Sequence, residues 1–223
     1  TGERLPLEWA IICNGALARV QDYMDVYYDL DASHPAEYIP FVFCCCDALG
    51  LSGEQAIRGI LLAYDLQGWF TENMRCNRNG WHYATVASAV CTAVFGMLLS
   101  CDREQLANMM AVNCCCNYTS LGIGAQTDMK TLAFALSAAN SVKAARLAMA
   151  GIQGSADALD NLFRMTGNSD AIFSPLVPEQ PRIFRTSIKP YPSEFMAHSA
   201  LAALDEILTE EDIRAEDIAG IHI

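Results

Sequence analysis

Apolar positions recur at three- and four-residue intervals along nearly the whole chain, the spacing of one buried face on an α-helix. The pattern predicts helices over 36–50 and 53–69, broken at Gly50-Leu51-Ser52-Gly53, then over 82–100, 103–117 and 131–151. A further helix is predicted from 193 to about 208. Ser52 followed by Gln55, and Asp102 followed by Gln105, are capping-box spacings that mark helix starts. Each cap follows an apolar run, as two stacked helical hairpins would require. The stretch SAANSVKAARLAMAG, 137–151, is dense in small residues and lets backbones approach closely, inside the fold or across a dimer interface. The tract 166–192 holds five of the eight prolines and reads as an extended connection. The closing IAGIHI alternates as the start of a strand would. These features predict a mainly α domain over 1–165, a connecting segment over 166–192 carrying Lys189, and the beginning of a smaller α+β domain over 193–223.

Composition narrows the function. A hydrophobic fraction of 52% with 18% charged residues suits a chain with a well-buried core. The net charge of −12 argues against a nucleic-acid partner, because no basic stripe is present to neutralise phosphates. Part of that charge is local, with seven acids against one arginine in 205–217. No apolar run reaches the length of a membrane span. Six of the ten cysteines lie in two triplets, Cys44-Cys45-Cys46 and Cys114-Cys115-Cys116, and no C-x-x-C pair occurs. Consecutive helical side chains point about 100° apart, so a triplet cannot offer three thiolates to one ion. Reduced, core-filling cysteines and a cytoplasmic setting are expected, with no metal site.

The ionisable residues that break the pattern suggest chemistry. Residues 21–35 read QDYMDVYYDLDASHP, with Asp22, Asp25, Asp29 and Asp31 crowded before His34-Pro35. Pro35 disfavours helical backbone at His34, which places that histidine on a loop. Asp25, Asp29 and Asp31 are expected to face solvent or hold the loop. His82 follows Gly80 at a helix start, just after Arg75 and Arg78. Lys130 opens a long helix, where a cation opposes the helix dipole unless an anion lies nearby. Lys189 sits in the Pro-flanked SIKPYPSEF, with His198 nine residues on. A carboxylate, histidines, lysines and an arginine, without a G-x-S-x-G nucleophile motif, suit removal of a proton beside a carboxylate held by cations.

These segments resemble, in order and spacing, the MmgE/PrpD family. The resemblance begins at NGALARVQDYMD and runs through the His-Pro at 34–35. It resumes in LQGWFTENMRCNRNGWH, in Lys130 leading to AARLAMAG, and in KPYPSEFMAH. It implies a mainly helical domain, a homodimer, no cofactor, and a catalytic set of Asp22, His34, His82, Lys130 and Lys189, with Arg78 and His198 binding substrate. The implied function is a carbon–oxygen lyase dehydrating 2-methylcitrate or a related tricarboxylate in propionate catabolism, in the cytoplasm, or in the mitochondrial matrix of a eukaryote. Decarboxylation of cis-aconitate, epimerisation of an amino-dicarboxylate, and a catalytically incomplete helical subunit are the alternatives. Ala135 and Ser141 stand where the family often carries glycine. Family members are longer chains, so further N-terminal helices and most of the smaller α+β domain are expected beyond this stretch.

Overall fold

Both capping boxes form. In the computed structural model, which describes residues 3–123, 127–211 and 213–220, Ser52 Oγ accepts the Gln55 N–H at 3.3 Å and Gln55 Oε1 accepts that of Ser52 at 3.1 Å. Asp102 and Gln105 do the same at 2.9 and 3.0 Å. They start α3 (Gly53–Asn73) and α5 (Arg103–Cys116), each preceded by a helix, α2 (Tyr38–Leu49) and α4 (Ala84–Leu98). Gly50, at φ +65°, ends α2 in the left-handed conformation that glycine adopts without penalty.

Helix α4 is buried nearly all round, as its unbroken run of Ala, Val, Thr and Phe requires. Helices α2, α3, α5 and α6 (Met129–Met149) surround it. The small residues of α6 serve this internal contact. Ser137 Oγ donates to the Ala84 carbonyl at 2.8 Å, and Ser141 Oγ to that of Ser88 at 2.9 Å. On its other side α6 meets α1 (Leu7–Arg19), where a Cβ on Gly15 would stand 2.8 Å from that of Ala135. The chain is therefore mainly α, as expected.

Three features go beyond the pattern: α1, the short α7 (Ala158–Met165), and a three-stranded antiparallel sheet. The sheet has the order β2-β1-β3, from β1 (Asp25–Tyr28), β2 (Ala32–Ser33) and β3 (Ser187–Ile188). Asp25 pairs with Ile188 and Tyr27 with Ser33. The proline-rich tract is thus pinned to the helices rather than spanning free. Arg182, 3% exposed, donates to both carboxylate oxygens of Glu72 at 3.1 and 2.8 Å and to the carbonyls of Pro175 and Leu176. It lies across Gly68, where a Cβ would fall 2.5 Å from Arg182 Cδ.

Helix α8 (His198–Glu210) follows, with Leu204, Ile207 and Leu208 exposed. Of the strand expected at 218–223, residues 218–220 are irregular, and 221–223 lie outside the described residues. The cysteine triplets splay as helix geometry demands. Cys45 and Cys46 are buried with Cys44 half-buried, and Cys114 is buried with Cys115 and Cys116 exposed.

Candidate functional site

Asp22 is the hub. It stands between α1 and β1 at φ +49°, a left-handed conformation that aspartate tolerates better than most residues. One carboxylate oxygen accepts from Lys130 Nζ at 2.8 Å. The other accepts from Lys189 Nζ at 3.0 Å and lies 3.5 Å from Arg19. Burial pulls this carboxyl up, but Lys130, Arg19 and Lys189 outweigh it and hold it below the usual carboxylate range. Asp22 is also the anion that a lysine at the start of α6 calls for.

Lys130, His34 and His82 line one cleft of about 230 Å³ with Arg19, Asn77, Tyr83, Glu194 and Phe195. His34 leaves the end of β2, and His82 enters the cleft two residues before α4. Burial first, then Arg19, presses both imidazoles down, His34 to about 3 and His82 to about 4, so both are neutral at pH 7. Their neutral forms differ. His34 Nδ1 lies 2.7 Å from the Asp25 carbonyl, which only accepts, so Nδ1 carries the proton and Nε2 the lone pair. His82 Nδ1 accepts the Ala84 N–H at 3.2 Å, so its proton sits on Nε2. A base and a hydrogen-bond donor thus share one cleft.

Beneath it lies a buried set the sequence did not single out. Tyr83 donates to Glu37 in a short hydrogen bond and accepts from Arg19 at 3.2 Å. Arg19 also lies 3.5 Å from Glu37. The Tyr83 ring sits between the two histidines, with centroids 5.8 Å from His34 and 4.4 Å from His82. Burial pushes Glu37 up to about 7, against the pull of Arg19 and Tyr83.

Other expected residues lie further out. Arg78 is exposed on the turn beside Asn77, outside the cleft lining. His198 opens α8 edge-on to Tyr191 and lines a second cavity of about 300 Å³ with Lys189, Val26 and Tyr28. Phe195 lines both cavities. The remaining aspartates hold the loop. Asp31 accepts from the Ala32, Asn77 backbone and Asn77 side-chain N–H groups, Asp25 from the Ala36 N–H, and Asp29 pairs with Arg185. Among the described residues no three of His, Cys, Asp and Glu converge as metal ligands, and no helix is long and apolar enough to cross a membrane.

Residues 1–175 match the MmgE/PrpD N-terminal domain. The chain belongs to the MmgE/PrpD family. Its members are generally dehydratases or lyases, and the match takes in every cleft residue except Glu194 and Phe195. Lys189 and His198 also lie beyond it, and β3, which directly precedes Lys189, pairs with β1 inside it.

Proposed function

We propose that this protein is a lyase that dehydrates 2-methylcitrate or a closely related tricarboxylate by acid–base elimination, without a metal. The observation that carries the reading is the pair of neutral histidines of opposite tautomer beside a lysine with free donors. Of the three N–H groups of Lys130, one is taken by Asp22. Among the described residues nothing else takes the other two, which are available to a substrate carboxylate.

In the proposed step His34 Nε2 takes the proton from the carbon beside that carboxylate. Charge then develops on the carboxylate oxygens, where Lys130 stabilises it more strongly than in the ground state. The C–O electron pair leaves with the hydroxyl, which His82 Nε2–H polarises. The proton that completes the departing water comes from the His34 imidazolium, because deprotonating neutral His82 would leave an imidazolate. A homodimer and a place in propionate breakdown accompany this reading, from family membership alone.

The test is product analysis, by mass and by chirality. Purified protein is mixed with 2-methylcitrate, citrate, cis-aconitate and a single enantiomer of an amino-dicarboxylate, each in the presence of a chelator. Loss of water from 2-methylcitrate is the expected result. Release of carbon dioxide from cis-aconitate would transfer the reading to decarboxylation. Inverted configuration of an amino-dicarboxylate at unchanged mass would transfer it to epimerisation. Silence on all of them from folded protein would overturn it.

A further inference from the structure

The two lysines on Asp22 are not equivalent. Lys189 Nζ has three protons, and three acceptors take them: the Asp22 carbonyl at 2.8 Å, the Asp22 carboxylate at 3.0 Å and the Ser193 carbonyl at 2.9 Å. The residue is 3% exposed and does not line the cleft that holds His34 and His82. Lys130 lines that cleft, its side chain is 30% exposed, and among the described residues its ammonium bonds Asp22 alone.

Ser193 precedes Glu194 and Phe195, the two cleft-lining residues that come from the C-terminal part of the chain. A second tie reaches the same carbonyl, from His198 Nε2 at 3.4 Å. Glu194 in turn caps the Phe195–Ala197 turn by accepting the Met196 N–H at 2.8 Å.

We propose that Lys130 binds the substrate carboxylate, whereas Lys189 is a positioning residue that pins the segment 190–198 to Asp22 and so holds Glu194 and Phe195 over the cleft. The division follows from donor counting. A saturated buried ammonium gains nothing from a ligand unless it first breaks a bond it already has, while Lys130 has two N–H groups without a partner among the described residues. This inference rests on the tricarboxylate reading for its ligand, but not for the pin.

The experiment measures binding of propane-1,2,3-tricarboxylate and of methylsuccinate, which lacks one terminal carboxylate, to the wild type, Lys130→Met and Lys189→Met. Chymotryptic cleavage after Phe195 is timed in parallel. The wild type is expected to prefer the tricarboxylate by about tenfold or more, the worth of one charge-assisted hydrogen bond. That preference should collapse in Lys130→Met at an unchanged cleavage rate. In Lys189→Met it should persist while cleavage accelerates.

Loss of the preference in Lys189→Met with wild-type cleavage overturns the proposal. If neither acid binds the wild type, the tricarboxylate reading fails, and the cleavage rates still decide the pin. Should Lys189→Met not fold, amine acetylation of the native protein decides instead. Lys130 is expected to react and be protected by the tricarboxylate, and Lys189 to react only after unfolding. Ligand-protected labelling of Lys189 in the native protein would overturn the assignment.

Discussion

Lys189 and Asp22 stand 167 residues apart in the chain, yet the lysine donates to both the carbonyl and the carboxylate of the aspartate. The sheet makes this possible. Asp22 leads into β1, Lys189 leaves β3, and the two strands pair. Three cations then share one carboxylate, and two of them, Arg19 and Lys130, line the cleft. The same cations help to keep His34 and His82 neutral, as a base working near pH 7 must be.

Lys130→Ala should abolish turnover and leave the fold intact. Its ion pair with Asp22 is partly exposed, and such pairs contribute about 0–1 kcal/mol to stability. Loss of a donor to the developing charge costs about 10²–10³ in rate. Steady-state kinetics beside a thermal melt checks both, and an unchanged rate would remove Lys130 from the mechanism.

The histidines set a pH dependence of definite sign. Each has a folded pKa depressed below the unfolded value, so the unfolded chain binds more protons between the two values and stability falls as pH drops through that window. Unfolding free energy should therefore decline from about pH 6.5 towards pH 4. His34→Gln and His82→Gln should each flatten that decline in denaturant titrations. His34→Gln should also remove at least about 10² of kcat, the general-base contribution. A slope equal to the wild type in both variants would mean that neither histidine titrates as placed.

Glu37 has the opposite sign. Burial raises its folded value to about 7, so its contribution is fully present below the unfolded value and is lost as pH rises through about 7. Glu37→Gln is uncharged throughout and lacks this dependence. The stability gap between wild type and variant should then be wider at pH 5 than at pH 8. Melts at the two pH values decide it, and a gap that widens towards pH 8 would contradict the assignment.

The helices were legible because burial on one face dictates the spacing of apolar residues, and both capping boxes are local. His34, His82 and Lys130 were legible because each broke a pattern: a histidine before proline, a histidine after a turn glycine, a lysine at a helix start. Arg19 and Glu37 broke none. A basic residue in the last turn of α1 and an acid in the turn before α2 are what the helix dipole favours, so they read as ordinary helix-end charges. The sheet was hidden for another reason. Strands of two and four residues are too short to show alternation, and the arginine just before β3 is anchored on Glu72, 110 residues away in the chain.

That arginine is Arg182. Its side chain satisfies Glu72 and a row of carbonyls, and the Glu72 carboxyl, against the upward pull of burial, is held down at about 2. Arg182→Met should cost about 1–3 kcal/mol, because it leaves the carbonyls dry and removes one of two arginine partners from Glu72, which keeps Arg185. The Glu72 contribution lies above the unfolded carboxyl value and is lost as pH falls towards 2, so the penalty should shrink in acid. Gly68→Ala should repeat part of the effect, since its Cβ would meet Arg182 Cδ. Both variants should lose activity beyond what their folded fraction explains, because β3 carries Lys189 to Asp22. Wild-type kcat in a destabilised but folded Arg182→Met would show that the sheet holds its register without this arginine, and would separate the anchor from the site.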